Sequence, residues 1–225
     1  MATESQGVQI RRQSTTAGST AQTIAATIAF SAAATSITRS DLGSFVTDGF
    51  TTAMRIENNS SANSTRIHTI ARVAATVMTV YEPVVAQSTG ISMTITGHAM
   101  QALGTITSWG GPNLSCAKID ITSLASTSKE FQPGLRDSGD VTLEAIFDTN
   151  ATALHNALRS DLETRTKRIY DITLTDQTTV AASQPTAFYF DAYVTNFGLS
   201  GSVDNIMKGS FTLAISSAVK TINKI

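Results

Sequence analysis

The chain has 225 residues, of which 41% are hydrophobic and only 15% are charged, and its formal net charge is −1. That much apolar material excludes a disordered chain, which combines low hydrophobicity with high net charge. The 16 basic and 17 acidic residues also exclude a protein that holds nucleic acid by neutralising phosphates, because such binding needs clustered Lys and Arg.

A single cysteine, Cys116, limits the redox and metal chemistry of the chain. One thiol permits no intrachain disulfide, no CxxC redox pair and no thiolate zinc site. The first residues lack the apolar stretch of a secretory signal, and the longest apolar runs are far shorter than the roughly 20 residues that cross a bilayer. We therefore expect a protein that is made in a cytoplasm and has no membrane partner.

Alternation with a period of two predicts antiparallel β-structure from the first residues onward. In the first half of the chain it covers residues 8–10, 52–57, 65–73, 76–81 and 91–95. β-Branched residues fill these runs, and Gly, Asn, Ser and Asp separate them, as is typical of a sheet with one buried and one wet face. Residues 58–64 are predicted to form a polar loop in which nothing is buried.

The same alternation returns in the second half with more aromatic residues, which predicts a larger core there. It covers residues 119–121, 141–147, 168–174, 186–194 and 206–216.

Residues 148–162 break the alternation and predict one amphipathic helix. Leucines recur at i, i+4 and i+8, so we expect them to pack on the sheet. These packing residues are Leu154, Leu158 and Leu162. Either Thr149 or Asn150 is the expected N-cap. The outer face of the helix is expected to carry His155, Arg159 and Glu163.

One helix among antiparallel strands predicts a mainly β (α+β) fold. We expect an antiparallel β-sandwich or barrel-forming domain with one flanking helix. Residues 17–96 form a small Ala/Thr/Ser-rich block with strands of its own. The domain that begins with residues 1–16 is expected to continue at about residue 97. The prediction is a discontinuous domain, 1–16 and 97–225, interrupted by a small inserted all-β domain at 17–96.

Groups that could carry out catalysis are scarce. None of the histidines (His68, His98 and His155) has ligand-type neighbours, and each is expected on the polar surface. Asp137 and Asp140 are expected to accept hydrogen bonds from turn amides. The glycine-rich residues 108–112 are expected to form a turn. No hydrolase, zinc-protease or P-loop motif occurs. We therefore expect no enzyme activity, no metal and no cofactor, which favours a structural role.

Two consecutive segments carry a resemblance to a known family. Residues 119–126 read IDITSLAS, and residues 129–141 read KEFQPGLRDSGDV. Together they resemble the major tail (tail tube) protein of long non-contractile-tailed bacteriophages, the siphophages. In that family an I-D-x-T-x-x-x-S strand leads through a mobile loop to a P-G-L-x-D-x-G turn. The helix and the later strands fit the same order. The resemblance covers about 97–225 plus the first strand, whereas residues 17–96 resemble a β module that such proteins place outside the tube.

This resemblance implies a structural virion protein with no chemistry of its own. Family members form hexameric rings that stack around a tape measure protein into a hollow tube, through which phage DNA passes without specific binding. The other implied partners are tail tip (initiator) and terminator proteins, and assembly would take place in the bacterial host cytoplasm. A near-neutral chain rich in Ser and Thr suits a conduit, because a basic one would hold its cargo.

The predicted loop at residues 125–136 is the candidate contact between rings or subunits. We expect it to be loose in the monomer and to be ordered by a neighbouring ring. Its contact residues are Ser126, Thr127, Ser128, Lys129, Phe131, Leu135 and Arg136. The two apolar ones, Phe131 and Leu135, could bury against that ring. The alternative is that Phe131 packs on its own sheet.

Two other classes of protein stay open at this point. One is another virion component, namely a contractile-tail tube, tail terminator or decoration protein. The other is a cell-surface adhesin or carbohydrate-binding β module, and the polar loops of residues 17–96 are the only feature that supports it.

Overall fold

A computed structural model of the chain describes residues 7–14, 22–104, 106–147, 154–175, 185–201 and 206–222. Sixteen strands and one helix lie in these residues. The chain divides into two compact units. Unit 1 contains Met1–Leu103, Ile169–Tyr189 and Lys220–Ile225, and unit 2 contains Gly104–Arg168 and Phe190–Val219.

Six strands of unit 1 form a closed antiparallel barrel. They are β2 (Gln22–Ser31), β3 (Ser36–Arg39), β4 (Arg55–Asn58), β5 (His68–Val73), β6 (Val77–Val80) and β7 (Gln87–His98). The order around the barrel is β2-β3-β6-β5-β4-β7, and β7 closes it by pairing with both β4 and β2. Closure removes the unpaired edges of an open sheet. Apolar side chains fill the interior, among them Ile28, Phe30, Ile37, Ile56, Met78 and Ile95.

The other strands of unit 1 do not belong to the barrel. They are β1 (Gln9–Gln13), β8 (Met100–Ala102), β13 (Arg168–Thr173), β16 (Lys220–Ile222) and the start of β14 (Ala187–Ser200). β1 pairs with β8 on one side and β13 on the other, and Gln13 lies opposite Met100. The segment that contains the barrel therefore begins after Gln13 and ends before Met100, and these two residues are directly paired.

Unit 2 is built on an antiparallel sheet in the order β14-β15-β12-β9. Its elements are β9 (Ile106–Gly110), β10 (Ser115–Asp120), β11 (Phe131–Asp137), β12 (Asp140–Ile146), α1 (Leu154–Thr164), β15 (Lys208–Ile215) and the remainder of β14. Strand β12 buries Val141, Leu143 and Ala145 and exposes Thr142 and Glu144. This alternation gives the sheet one core face and one polar face.

Helix α1 contributes to the core face through an aromatic contact. The His155 ring stacks on Phe211 with 5.8 Å between ring centroids, and Phe147 lies 5.9 Å from His155. Leu158 is buried, and Leu162 is half-buried. The prediction that His155 lies on the outer face is wrong, because its ring completes this aromatic cluster, whereas Arg159 and Glu163 are exposed. The N-cap predicted at Thr149 or Asn150, and the side chain of Leu154, lie outside what the structure describes.

The prediction of a mainly β fold with one helix is confirmed over the described residues. The alternation did not predict strands β2, β3, β8, β9, β11 or β16. Strand β2 is rich in Ala, β8 and β16 have three residues each, and Pro133-Gly134 interrupts β11. Residues 108–110, expected to form a turn, belong to β9, and the connection to β10 follows at 111–114.

The polar loop at 58–64 is not solvated as predicted. Asn58, Ser60 and Asn63 are all buried. The Asn63 side chain donates to the Val85 carbonyl (3.0 Å) and accepts from the Val85 N–H (2.9 Å), so that it replaces a strand partner. Asn and Ser can be buried here because local side-chain hydrogen bonds satisfy the backbone.

Candidate functional site: an exposed β-hairpin

Strands β10 and β11 form a hairpin that has no buried side chain. They pair only with each other, all six residues of β10 are exposed, and only Gly134 of β11 is partly covered. A two-stranded hairpin without a packed face is marginally stable at best in water. Such a hairpin gains stability when another surface covers it.

The hairpin contradicts the prediction that residues 125–136 are a loose connection. Residues 131–137 are strand β11, with Phe131 opposite Asp120 and Arg136 opposite Cys116. The register shifts between Cys116 and Lys118, which identifies a β-bulge that accommodates one extra residue in β11. The connecting loop is therefore residues 121–130.

Hydroxyl groups close this loop. The Thr122 hydroxyl accepts from the Glu130 N–H (3.0 Å), and the Thr122 N–H donates to the Asp120 carboxylate (2.9 Å). The hydrogen bonds from Thr122 hold the pKa of Asp120 below its ordinary value. The Ser123 N–H donates to Ser126 Oγ at 3.1 Å. Of the three hydroxyl residues predicted to make the contact, Ser126 takes part in these hydrogen bonds.

A tight turn at Gly139 joins the hairpin to the sheet. Gly139 has a φ of +65°, and a Cβ at this position would lie 2.4 Å from the Asn113 carbonyl oxygen. Asp137 accepts from the Gly139 N–H at 2.9 Å, as the sequence predicts. Ser138 Oγ donates to the Ser217 carbonyl at 2.9 Å. Only glycine fits this turn, so the base of the hairpin is fixed.

The predicted contact residues lie on this hairpin and its loop. Leu135 is 91% exposed and Phe131 is 52% exposed. The Phe131 ring lies 5.9 Å from Lys118 Nζ of the opposite strand. The remaining predicted residues are Ser126, which is half-buried, and Thr127, Ser128, Lys129 and Arg136, which are exposed.

Sequence reasoning missed three further exposed apolar residues next to them. They are Ile119, Ile121 and Leu124. The alternation at 119–121 contains Ile119 and Ile121, but it predicts an ordinary half-buried strand, and Leu124 lies beyond it.

Potential catalytic groups are not gathered in the part of the chain that the structure describes. It holds no cluster of three or more His, Cys, Asp or Glu side chains that could bind a metal. The prediction that the histidines lie on the polar surface is wrong, since all three are buried. Burial lowers the pKa of His68 to about 4, which keeps its ring neutral at pH 7.

Sequence reasoning also missed a buried charge network in unit 1. The Asp171 carboxylate accepts from Arg11 Nε (2.8 Å) and from Arg55 Nε of the barrel (3.0 Å). Arg55 also donates to Thr69 Oγ1, which in turn donates to Glu82 at 2.7 Å. Burial lowers the pKa of Arg55 and raises that of Glu82. These partners are far apart in sequence, so no local pattern could have indicated them.

A second polar cluster also connects the barrel to the strands around it. Glu57 of β4 accepts from Lys220 Nζ at 3.2 Å and lies 3.5 Å from His98 Nε2. Gln13 Nε2 lies 3.3 Å from His98 Nδ1. The hydrogen bond to His98 and the charge of Lys220 lower the pKa of Glu57. Within unit 1 the barrel is therefore held by ion pairs to β13 and β16.

The fold and the hairpin together define a mainly β protein that carries an exposed two-stranded hairpin. The family model described as "Phage tail tube, TTP, lambda-like" matches residues 82–225. The chain belongs to this phage tail tube family, and it is a structural component of a phage tail. The match begins at Glu82, so strands β2 to β6 of the barrel precede it.

Two solved structures with similar chains come from gene transfer agent (GTA) particles. One is the tail of an empty GTA particle, refined with helical C6 symmetry, and the other is the virion of a native GTA particle. Both chains are 13% identical to this one with a TM-score of 0.45, and the alignments cover 55% of this chain and 87% and 88% of theirs. No curated protein matches. Among the described residues, no helix has the length and apolar character needed to span a membrane.

Proposed function

We propose that this chain forms hexameric rings that stack around a tape measure protein into the hollow tail tube through which phage DNA is delivered. In this proposal the tail tip (initiator) and terminator proteins cap the tube, and assembly takes place in the host cytoplasm. Residues 17–96 act as an inserted domain on the outer surface. Membership of the tail tube family is the starting point of the proposal.

The observation that carries the proposal is the exposed hairpin β10–β11. Phe131 and Leu135 sit on a two-stranded sheet with no core of its own. Burying one such side chain is worth about 1.5–3 kcal/mol, and each ring would repeat that contribution once per subunit. A hairpin of this kind supports contacts between copies of the chain.

Negative-stain electron microscopy and sedimentation velocity of the concentrated protein test the proposal. Wild type should form rings or tubes without any added enzyme substrate or cofactor. The double variant Phe131→Ala/Leu135→Ala should melt within a few degrees of wild type, because both side chains are already exposed, and should stop at monomers or single rings. Persistent monomer in the wild type, even with the tail initiator present, would contradict the proposal. Normal tubes from the double variant would remove the hairpin from it.

A further inference from the structure

The closed barrel of unit 1 makes no ladder with the other strands of its unit. In the described residues β2 to β7 pair with one another, whereas β1, β8, β13 and β16 belong to a different sheet and are here called the frame strands. The barrel also has an apolar core of its own. The barrel is therefore held to the frame strands by side chains and by the chain connection at Ala99, whose carbonyl accepts from the Ser14 N–H at 2.8 Å.

Charged groups on β4 make the principal contacts with the frame strands. Arg55 and Glu57 are two positions apart and therefore lie on the same face of the strand. Arg55 Nε donates to Asp171 of β13 at 3.0 Å, and Glu57 accepts from Lys220 Nζ of β16 at 3.2 Å. A positive and a negative group of the barrel thus meet a negative and a positive group of the frame strands.

Opening this junction costs less free energy than its buried charges suggest. A buried ion pair adds little net stability, because both ions regain their hydration when they return to water together. The side chains of Glu57 and Lys220 are already 35% and 34% exposed, so their pair is weak. One apolar cluster is shared with the frame strands, and Ile67 is the buried member that the barrel segment contributes to it.

Opening the barrel itself costs far more. Its strands share one apolar core, to which each of them contributes. The buried members of this core include Ile28, Ile37, Ile56, Ile70, Met78 and Ile95. The hydrophobic effect is roughly proportional to the apolar area exposed to water, so losing this core is much more costly than losing the contact of Ile67. The junction is therefore the weaker of the two.

We propose that the barrel leaves the frame strands as a folded body, by breaking both ion pairs together and turning about Ala99. Ala99 is the single residue between β7 of the barrel and β8 of the frame strands, so the hinge lies where the chain passes from one to the other. The inference goes beyond the proposed function, because it concerns the single chain and does not depend on assembly. It makes the barrel a movable part of the protein.

Thiol labelling of the full-length chain with DTNB tests this opening. All variants carry Cys116→Ser, which removes the exposed native thiol. Ile67→Cys places a thiol at the junction, where the native side chain is 4% exposed, and Ile28→Cys places one in the barrel core, where it is 0% exposed. A buried thiol reacts only from an opened state, so its rate reports the free energy of that opening. We expect Ile67→Cys to react at least about tenfold faster than Ile28→Cys, because undocking exposes the junction without opening the core.

Two further substitutions show whether both ion pairs break in the same opening. Lys220→Glu acts on β16 and should raise the rate of Ile67→Cys by about tenfold, and Asp171→Asn on β13 should raise it further, because that carboxylate is fully buried. Fraying of one frame strand alone would respond to only one of the two. Glu163→Lys, which reverses an exposed charge on α1, is the matched control and should change the rate by less than about threefold.

Ile37→Val shows whether the barrel stays folded while it is undocked. It removes one buried methyl group from the core, so it should speed Ile28→Cys by about two- to tenfold and leave Ile67→Cys unchanged. Ala187→Cys at the junction and Ala26→Cys in the core are smaller substitutions that replace the two reporters if either fails to fold. The inference is overturned if junction and core thiols react at equal rates, if Ile37→Val speeds both, or if either charge substitution leaves the junction thiol unchanged.

Discussion

At the scale of single residues, the main departure from expectation is the number of charged and polar groups that are buried. Asp171 and Arg55 lie in the interior of unit 1, although only 15% of the residues of the chain are charged. Arg39 of the barrel likewise binds Asp41 and Asp48 and lies 5.0 Å above the Phe45 ring. A buried ion is tolerated only where its partner is in place, so these pairs make the arrangement of strands specific.

Asp171→Asn should destabilise the protein strongly. The substitution leaves Arg55 buried without the carboxylate to which it donates a hydrogen bond and weakens the pair with Arg11, which should cost about 3–5 kcal/mol. Urea unfolding followed by circular dichroism measures the loss. Glu163→Gln, which removes only the exposed pair with Arg159 on α1, is the control and should change stability by less than about 0.5 kcal/mol. Equal effects of the two variants would contradict the role given to the buried pair.

His68 should make stability depend on pH in a defined window. Its folded pKa of about 4 lies below the ordinary value of 6.5, so the unfolded chain binds the proton more tightly. Stability should be level above pH 6.5 and fall by about 3 kcal/mol as the pH drops to 4. His68→Phe should lose this slope, which unfolding curves of the two proteins between pH 7 and 4 compare directly. Parallel curves would show that His68 does not titrate as described.

At the scale of elements, the two kinds of β-structure differ in what supports them. The strands of the barrel share one apolar interior, whereas β10 and β11 have only their ladder, their loop and their fixed base. The base is held by glycines at positive φ, Gly111 and Gly139. The base of the hairpin therefore has a fixed backbone conformation, although the hairpin has no core of its own.

Gly139→Ala should disturb the hairpin more than an equivalent change elsewhere. The added methyl group would approach the Asn113 carbonyl oxygen to 2.4 Å, and the φ of +65° is unfavourable for alanine. Gly104→Ala is the matched control, since Gly104 has a φ of +79° with no atom within 4 Å of the added Cβ. The control should cost about 1 kcal/mol and Gly139→Ala at least twice that.

Hydrogen exchange of residues 115–137 shows where the two changes act. Only Gly139→Ala should speed the exchange of the hairpin amides. If both variants lose equal stability, the close approach to Asn113 has no energetic consequence.

At the scale of the whole molecule, the connectivity of the barrel supports the proposed insertion. The barrel strands lie between Gln13 and Met100, which are paired neighbours on β1 and β8. Ile67 of this segment packs with Ile169, Tyr189 and Ile222. A short turn between Gln13 and Met100 can therefore replace the proposed inserted domain in the chain. Within unit 1, however, the domain packs against residues of the other strands.

Replacing residues 14–99 by Asn-Gly should leave a folded protein that still assembles. A two-residue turn of this type joins directly paired antiparallel residues. Stability should fall by about 1.5–3 kcal/mol for each apolar side chain that the barrel no longer covers. It should fall further because the deletion removes Arg55, the partner of Asp171. A second version with Ile169→Thr and Ile222→Thr makes that surface polar and should recover solubility. Electron microscopy and thermal melting provide the readouts, and loss of folded protein in both versions would show that the barrel is part of the tube's core.

The sequence by itself determined the fold class, most strand positions and the single helix. Alternation of apolar and polar residues, as in 141–147, is a local consequence of one buried face and needs no partner to be recognised. The resemblance in residues 119–141 likewise pointed to the tail tube family, which the family match confirms.

Only the tertiary structure decided which polar residues are buried and which apolar ones are exposed. Asp171 reaches Arg11 across 160 positions of sequence, and His155 is buried because Phe211 lies beneath it. Conversely, Ile119 and Ile121 have the pattern of a core strand but lie on a hairpin that nothing covers. Burial depends on what packs against a residue from elsewhere in the chain, and that information is absent from any local window of the sequence.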